Sequence, residues 1–288
     1  MKEPGHGAKL RRNPTIGECK LPGSFMIEAR SLCSNDSRKD VNQDTFLMDD
    51  ALGILGIFDG HGVYGELYSS KAKALVQAYL QQKPDFDIPR ALSGAFLRAH
   101  LHLVEAISQD RNSGTTALVV AVTPTRLYFA NAGDCRAIVL EDDPAGSVLL
   151  RQATTDHTLH NLDERMRVLD LGLPFRALGD GRIVISHPTK SMTQTPSRSL
   201  GDTHLLPRNG ACAVPEISQV ELTPHFRWLV LASDGVFDEL TNDDVATILS
   251  YCNDPDTACT EIVLAAQAEC ERKGITHDDI TCVCVMRA

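Results

Sequence analysis

The chain has 288 residues, 43% hydrophobic and 23% charged, a globular composition long enough to bury a large core as one big domain or two ordinary ones. Its 28 basic and 38 acidic residues leave a net charge of −10, which argues against a general nucleic-acid binder. No uninterrupted apolar run reaches the roughly 18 residues of a membrane span.

Residues 1–20 carry Gly, Pro and a small basic group, Lys9 to Arg12, without periodicity, and read as a flexible tail. The first residues lack the apolar stretch of a secretory signal, and Lys2 stands where myristoylation requires glycine. An intracellular protein, cytoplasmic or nuclear, is therefore expected. Residues 21–288 read as one domain. Strand-type runs fall at 24–29, 44–48 and 52–58, and helices are predicted over 65–82 and 88–108. In the second helix Ala91, Leu92, Ala95, Phe96, Ala99, Leu103 and Ile107 recur at spacings of three and four. A strand meander follows over 115–122, 127–130, 135–140 and 147–150, with Gly133-Asp134 at one bend. The stretch 158–200 is read as a largely irregular insert around a short helix at 163–170, and such inserts are usually functional. A strand at 228–232, helices at 242–250 and 256–273, and a strand at 280–286 complete the chain. Thr241 and Asp244 have the spacing of a capping box, and Gly274 stops the last helix. Helices that fall between blocks of hairpin-connected strands imply an α+β protein, a layered sandwich of two mainly antiparallel sheets flanked by helices. Nine cysteines, with no Cys-x-x-Cys pair, argue against a disulfide framework or a zinc site and for free buried thiols.

Three apolar runs carry an acid at one end. The run at 53–58 ends in Asp59-Gly60-His61-Gly62, the run at 228–232 ends in Ser233-Asp234-Gly235, and Asp278-Asp279 precede 280–285. One aspartate at a strand end is usually a turn or cap residue. Three such aspartates can meet at one rim of a sheet, where each pair repels by about 4 kcal/mol at ~4 Å and an effective dielectric near 20. Something positive must then sit among them, or some must stay protonated, and a divalent cation is the simplest answer.

Together with Asn42-Gln43-Asp44, Ser113-Gly114-Thr115-Thr116-Ala117, Ala132-Gly133-Asp134, Asp156-His157, Arg198-Ser199-Leu200-Gly201-Asp202, Pro215-Glu216-Ile217 and Leu231 to Asp238, these segments make an ordered set over residues 23–286. The set resembles the metal-dependent serine/threonine phosphatases of the PPM family, the protein phosphatase 2C type. The resemblance implies two magnesium or manganese ions at one edge of a β-sandwich. Asp59 would bridge them, with the Gly60 carbonyl on one ion, Asp234 and Asp278 on the other, and Asp44 acting directly or through water. Some members take a third ion near the acid matching Asp134. It further implies hydrolysis of phosphoserine and phosphothreonine in phosphorylated protein substrates by in-line attack of a metal-bridging hydroxide, on a chain expected to be a monomer.

His61 is expected to act as general acid toward the leaving seryl or threonyl oxygen, whereas His100, His102 and His157 read as packing or surface residues. A cation should grip the phosphoryl oxygens. The family keeps an arginine shortly before its first acid, and here the candidates are Arg38 and Lys39, with Lys39 better spaced from Asp44. Gln43 stands where many members have Glu. The family's Arg-x-Leu-Gly-Asp segment occurs twice, at 176–180 and 198–202. The later copy is preferred because Ser197 precedes it and Pro215-Glu216-Ile217 follows; the earlier one would lie in a flap over the site, and Asp202 would support neighbours rather than bind metal.

Overall fold

The computed structural model describes residues 25–37, 41–82, 87–107, 112–143, 147–187, 192–207, 210 and 212–287. The tail expected over 1–20 lies outside the described residues, as do Arg38 and Lys39. Strands β1 (Phe25–Leu32), β2 (Asp44–Asp49) and β3 (Ile54–His61) lead into helices α1 (Gly65–Gln81) and α2 (Ile88–Ala106). Next come β4 (Gly114–Thr115), β5 (Ala117–Val122), β6 (Arg126–Ala132), β7 (Arg136–Asp142), β8 (Val148–Gln152) and helix α3 (Leu162–Asp170). Short strands β9 (Phe175–Ala177), β10 (Ile183–Ser186), β11 (Thr193–Gln194) and β12 (Leu200–Gly201) precede β13 (Glu216–Glu221) and β14 (Phe226–Ala232). Helices α4 (Asp234–Phe237), α5 (Asn242–Tyr251) and α6 (Pro255–Lys273) then lead to β15 (Ile280–Arg287).

Every ladder is antiparallel. One sheet has the order β1-β15-β14-β7-β8; the other runs β12-β4-β3-β5-β6-β13, with β2 on the free side of β3. The alternation of side chains along each strand sorts the core into layers. Val283, Val285, Leu229 and Leu231 from one sheet meet Leu55, Ile57, Leu118 and Val120 from the other in the middle of the sandwich. On the outer face of the first sheet, Trp228, Val230, Ile280, Cys282 and Cys284 pack on α4, α5 and α6. On the outer face of the second, Phe58, Ala117 and Val119 pack on α1 and α2 through Tyr68, Val76, Leu92, Phe96 and Leu103. The expected layered α+β sandwich is therefore the observed one.

Helix ends follow local chemistry. Thr241 and Asp244 form the capping box of α5. Asp254 caps α6, with Pro255 in its first turn, and Gly274 closes it in a left-handed conformation at φ 70°.

Two expectations need correction. The run at 115–122 is broken at Thr116, whose N–H donates to the Asp59 carbonyl (2.8 Å) and whose hydroxyl accepts from the Asp59 N–H (3.2 Å). The insert at 158–200 is also ordered more than its composition suggests. It holds α3 and the three-stranded sheet β11-β10-β9, over a small core of Leu159, Val168, Ile185, Leu206 and Cys212. Buried Glu164 ties it down, accepting from Arg167 (2.7 Å), Arg198 (2.6 Å) and Ser197 (2.5 Å). Burial alone would raise the Glu164 carboxyl, but the two guanidiniums and the hydroxyl outweigh it and hold the group well below the usual carboxylate range.

The two sheets meet the site through very close backbone approaches. A Cβ on Gly235 would stand 2.1 Å from the Asp279 carbonyl oxygen, so this junction between α4 and β15 admits only glycine without backbone movement. Gly235→Ala is expected to destabilise the protein by about 2 kcal/mol or more, measured by urea unfolding, and to separate Asp234 from Asp278.

Candidate active site

The ends of β3, β4, β14 and β15, with the β6–β7 bend and the flap, enclose a cavity of about 570 Å³. Its walls include Asp59, Gly60, His61, Asp134, Asp202, Asp234, Asp238 and Asp278, and from the flap Arg182 and residues Met192 to Pro196. Asp44 lies on the neighbouring strand, directly opposite Asp59 in the β2–β3 register. The five sequence-predicted metal-site residues therefore converge, although they come from three separate parts of the chain.

Burial and mutual repulsion dominate the electrostatics. Burial raises the Asp59 carboxyl far above its ordinary range, and Asp234, Asp44, Asp134 and Asp278 raise it further. Asp234 is raised by burial and then by Asp134, Asp238 and Asp278. Asp134 is pushed up to about 7 by burial and by Asp238. Asp44 is pushed up to about 7 by burial and by Asp279, against the lowering effect of hydroxyls from Thr281 and Ser233. Among the described lining residues, the positive or protonatable partners are only Arg182 and His61. The acids therefore outnumber the positive groups beside them, and they offer oxygen donors alone, which suits hard divalent ions such as magnesium or manganese. Asp44 strengthens this fit. Its Oδ2 accepts from the Ser233 hydroxyl at 2.9 Å, while its buried Oδ1 has no partner among the described residues. A buried carboxylate oxygen left so is costly unless a cation takes it.

Supporting contacts explain why these residues hold their places. Asp279 accepts from the Ser34 N–H (2.8 Å) and the Gln43 N–H (3.0 Å), fastening the start of β15 to the β1–β2 connection. Gln43 passes its side-chain N–H to the Gly62 carbonyl at 2.8 Å, and its own carbonyl accepts from Gly60 at 3.2 Å. An ionised Glu at this position would have no proton for Gly62, so the amide is a positioning group. Two histidines read as packing or surface residues brace the bends that carry acids. His157 Nδ1 accepts from the Gly133 N–H and His100 Nδ1 from the Gly201 N–H, both at 3.2 Å, and both rings are buried.

His61 Nε2 lies 2.7 Å from Asp202 Oδ2. Asp202 is buried, accepts from the Ser199 hydroxyl at 2.5 Å, and adopts φ +54°, unusual for a residue other than glycine. The later copy of the repeated segment is thus the one at the site: Leu200 and Gly201 pair with Thr115 and Gly114, whereas the earlier copy starts on β9 of the flap sheet with Arg176 and Ala177 and continues into the turn before β10. Sequence reading passed over Asp238 and Arg182. Asp238 follows Asp234 by one helical turn, a spacing that could have exposed it. Arg182 had no such signal, because it reaches the cavity only through the fold of the flap, where its guanidinium also pairs with Asp180 at 2.8 Å.

The Protein phosphatase 2C family model matches residues 25–274. The chain is 31% identical to a probable protein phosphatase 2C of Arabidopsis thaliana, over 87% of this chain and 80% of that protein. It is 29% identical to one of Oryza sativa subsp. japonica, over 81% and 76%. Among solved structures, a serine-threonine phosphatase 2C from Toxoplasma gondii superposes with a TM-score of 0.76 at 19% identity, covering 91% of this chain and 95% of that one. A Mycobacterium tuberculosis serine/threonine phosphatase does so with a TM-score of 0.63 at 20% identity, over 91% and 98%. The chain belongs to the protein phosphatase 2C family.

Proposed function

We propose that the cavity holds two magnesium or manganese ions and hydrolyses phosphoserine and phosphothreonine in protein substrates, with His61 as general acid. Protein serine/threonine phosphatase activity and dependence on these metals follow from the family. The finer reading is carried by the crowding of Asp59 among Asp44, Asp134, Asp234 and Asp278. Asp59, the Gly60 carbonyl, Asp234 and Asp278 would hold the ions. Asp44 would act through its unpartnered Oδ1, and Asp134 with Asp238 offers a place for a third ion. Bound ions would supply Lewis acidity, neutralising phosphoryl charge and readying a water for attack.

The protein's own groups handle the rest. Asp202 fixes the His61 ring against the cavity wall and balances the charge of a protonated imidazole, so that the ring can hand a proton to the departing oxygen. A guanidinium or ammonium must hold the phosphoryl oxygens. Arg38 and Lys39 remain the candidates from sequence, and Arg182 joins them as the arginine lining the cavity. The flap segment 192–196 closes the opposite wall and is where a peptide flanking the phosphoresidue would be read.

Four outcomes follow. Asp234→Asn should abolish manganese-dependent turnover of a phosphopeptide yet raise the Tm of the EDTA-treated protein by roughly 2–4 °C for each kcal/mol of repulsion relieved; a fall in that Tm would contradict a site built for cations. His61→Ala should lower kcat on a phosphothreonine peptide about 10²-fold or more but affect p-nitrophenyl phosphate far less, since nitrophenolate leaves without a proton; Arg182→Ala should raise KM about ten-fold. In the metal-free protein, Asp44 and Asp134 hold protons up to about pH 7 that the unfolded chain releases near about 4. The folded state then binds more protons, so stability should fall as pH rises from about 4 through 7, and manganese should restore it. Thermal melts across that range with and without the ion read this directly.

A further inference from the structure

A second cluster of ligand-type side chains lies on the far side of the first sheet, away from the catalytic cavity. Cys282 and Cys284 alternate on β15 so that both face α6, and Cys259 of α6 faces them in return. The three sulfurs lie within 4.8 Å of one another, and all three residues are buried. Among the described residues no other three His, Cys, Asp or Glu ligand atoms gather so tightly. The sequence hides the arrangement: Cys282 and Cys284 are too close together for a Cys-x-x-Cys pair, and the third sulfur stands 23 residues away on another element.

A purely packing role would ask nothing of the surroundings beyond apolar contact. Here a buried cation stands beside the thiols. Arg30 is paired with Cys282 in the β1–β15 register, so its side chain enters the same layer between sheet and helix. Its guanidinium pairs with Asp256, one turn ahead of Cys259, but its buried Nε has no partner among the described residues. The thiols of Cys259 and Cys284, and then Arg30, hold the Cys282 thiol below its ordinary range, whereas burial pushes those two thiols well above theirs.

We propose that Cys259, Cys282 and Cys284 form a trigonal thiolate site for one thiophilic divalent d10 cation, zinc or cadmium. A metal–sulfur bond of about 2.3 Å places three sulfurs about 4 Å apart, so each sulfur needs to move by less than about 1 Å from the separations here. On binding, the three thiols release their protons to solvent. Three thiolates around a divalent ion leave one net negative charge, and the Arg30 guanidinium, shared with Asp256, stands beside it. Soft sulfur ligands prefer such ions over the magnesium or manganese of the catalytic cavity, so the two sites would not compete.

The test uses the full chain, refolded from urea under reducing conditions with saturating magnesium, because the buried thiols are reached most readily as the protein folds. Refolding with cadmium should give one cadmium per chain, a thiolate-to-cadmium charge-transfer band in the ultraviolet, and a Tm raised by about 5 °C at a hundred-fold excess over Kd. Metal analysis of the purified protein decides the source: one zinc per chain identifies zinc as the native occupant, and one cadmium on refolding of a zinc-free protein identifies a site for the softer ion. Cys259→Ala and Cys284→Ala should each abolish the band, while Cys33→Ala should keep it. Should the alanine variants fail to fold, Arg30→Met keeps all three sulfurs and should weaken cadmium binding about ten-fold. Absence of both zinc and the cadmium band, or a band of unchanged strength in Cys259→Ala and Cys284→Ala, would overturn the site.

Discussion

Repulsion among carboxylates that the fold presses together governs this molecule. Asp44, Asp59, Asp134 and Asp234 are each raised by burial and then by neighbouring aspartates, a conflict that the hydroxyls and the imidazole beside them only partly relieve. Folding alone would push such groups apart or keep them protonated. The sandwich prevents the first: β2 and β3 are locked in register, and β14 and β15 share a full antiparallel ladder. Hard cations remove the need for the second. The core, with three apolar layers between and outside the sheets, supplies the stability against which this local strain is held.

Around that charge centre the protein spends neutral polar groups rather than opposing charges. The Ser233 hydroxyl holds Asp44 and the Thr281 N–H, Gln43 holds Asp279 and the Gly62 carbonyl, and His157 and His100 each hold a glycine N–H. Cations on the acids themselves would satisfy them too well and close the site to metal. Where the protein does use arginine, it is one step removed, with Arg136 on Asp156 and Arg167 and Arg198 on Glu164. The flap follows the same logic, anchored by Glu164 on its sheet side and open with Arg182 on its cavity side.

Much of this was legible in the residue pattern, and the rest for physical reasons was not. Strands with sustained apolar alternation, such as 228–232 and 280–286, and helices with caps at both ends, such as α6, announce themselves because the signal is local. Asp59, Asp234 and Asp278 were legible because glycine or a second acid flanks each one, whereas Asp44 was legible only through the family resemblance. Glu216–Glu221 was missed as a strand because it is a polar edge whose partner, β6, provides the pairing. The flap sheet was missed because its strands are two to four residues long and exist only through mutual pairing. Arg182, the bracing by His100 and His157, and the gathering of three cysteines all depend on which distant segments face each other, which no local spacing encodes.

Strand β15 has one further property. Asp278 and Asp279 stand just before its first residue, Cys282 and Cys284 face the helices, and Val283 and Val285 face the other sheet. Sliding this strand by a single position against β1 and β14 would turn the valines outward, send the sulfurs into the middle of the sandwich, and carry the acids off their partners. A misthreaded chain would thus forfeit its oily layer and its polar chemistry in the same error, and no half-correct assembly with a working centre is open to it.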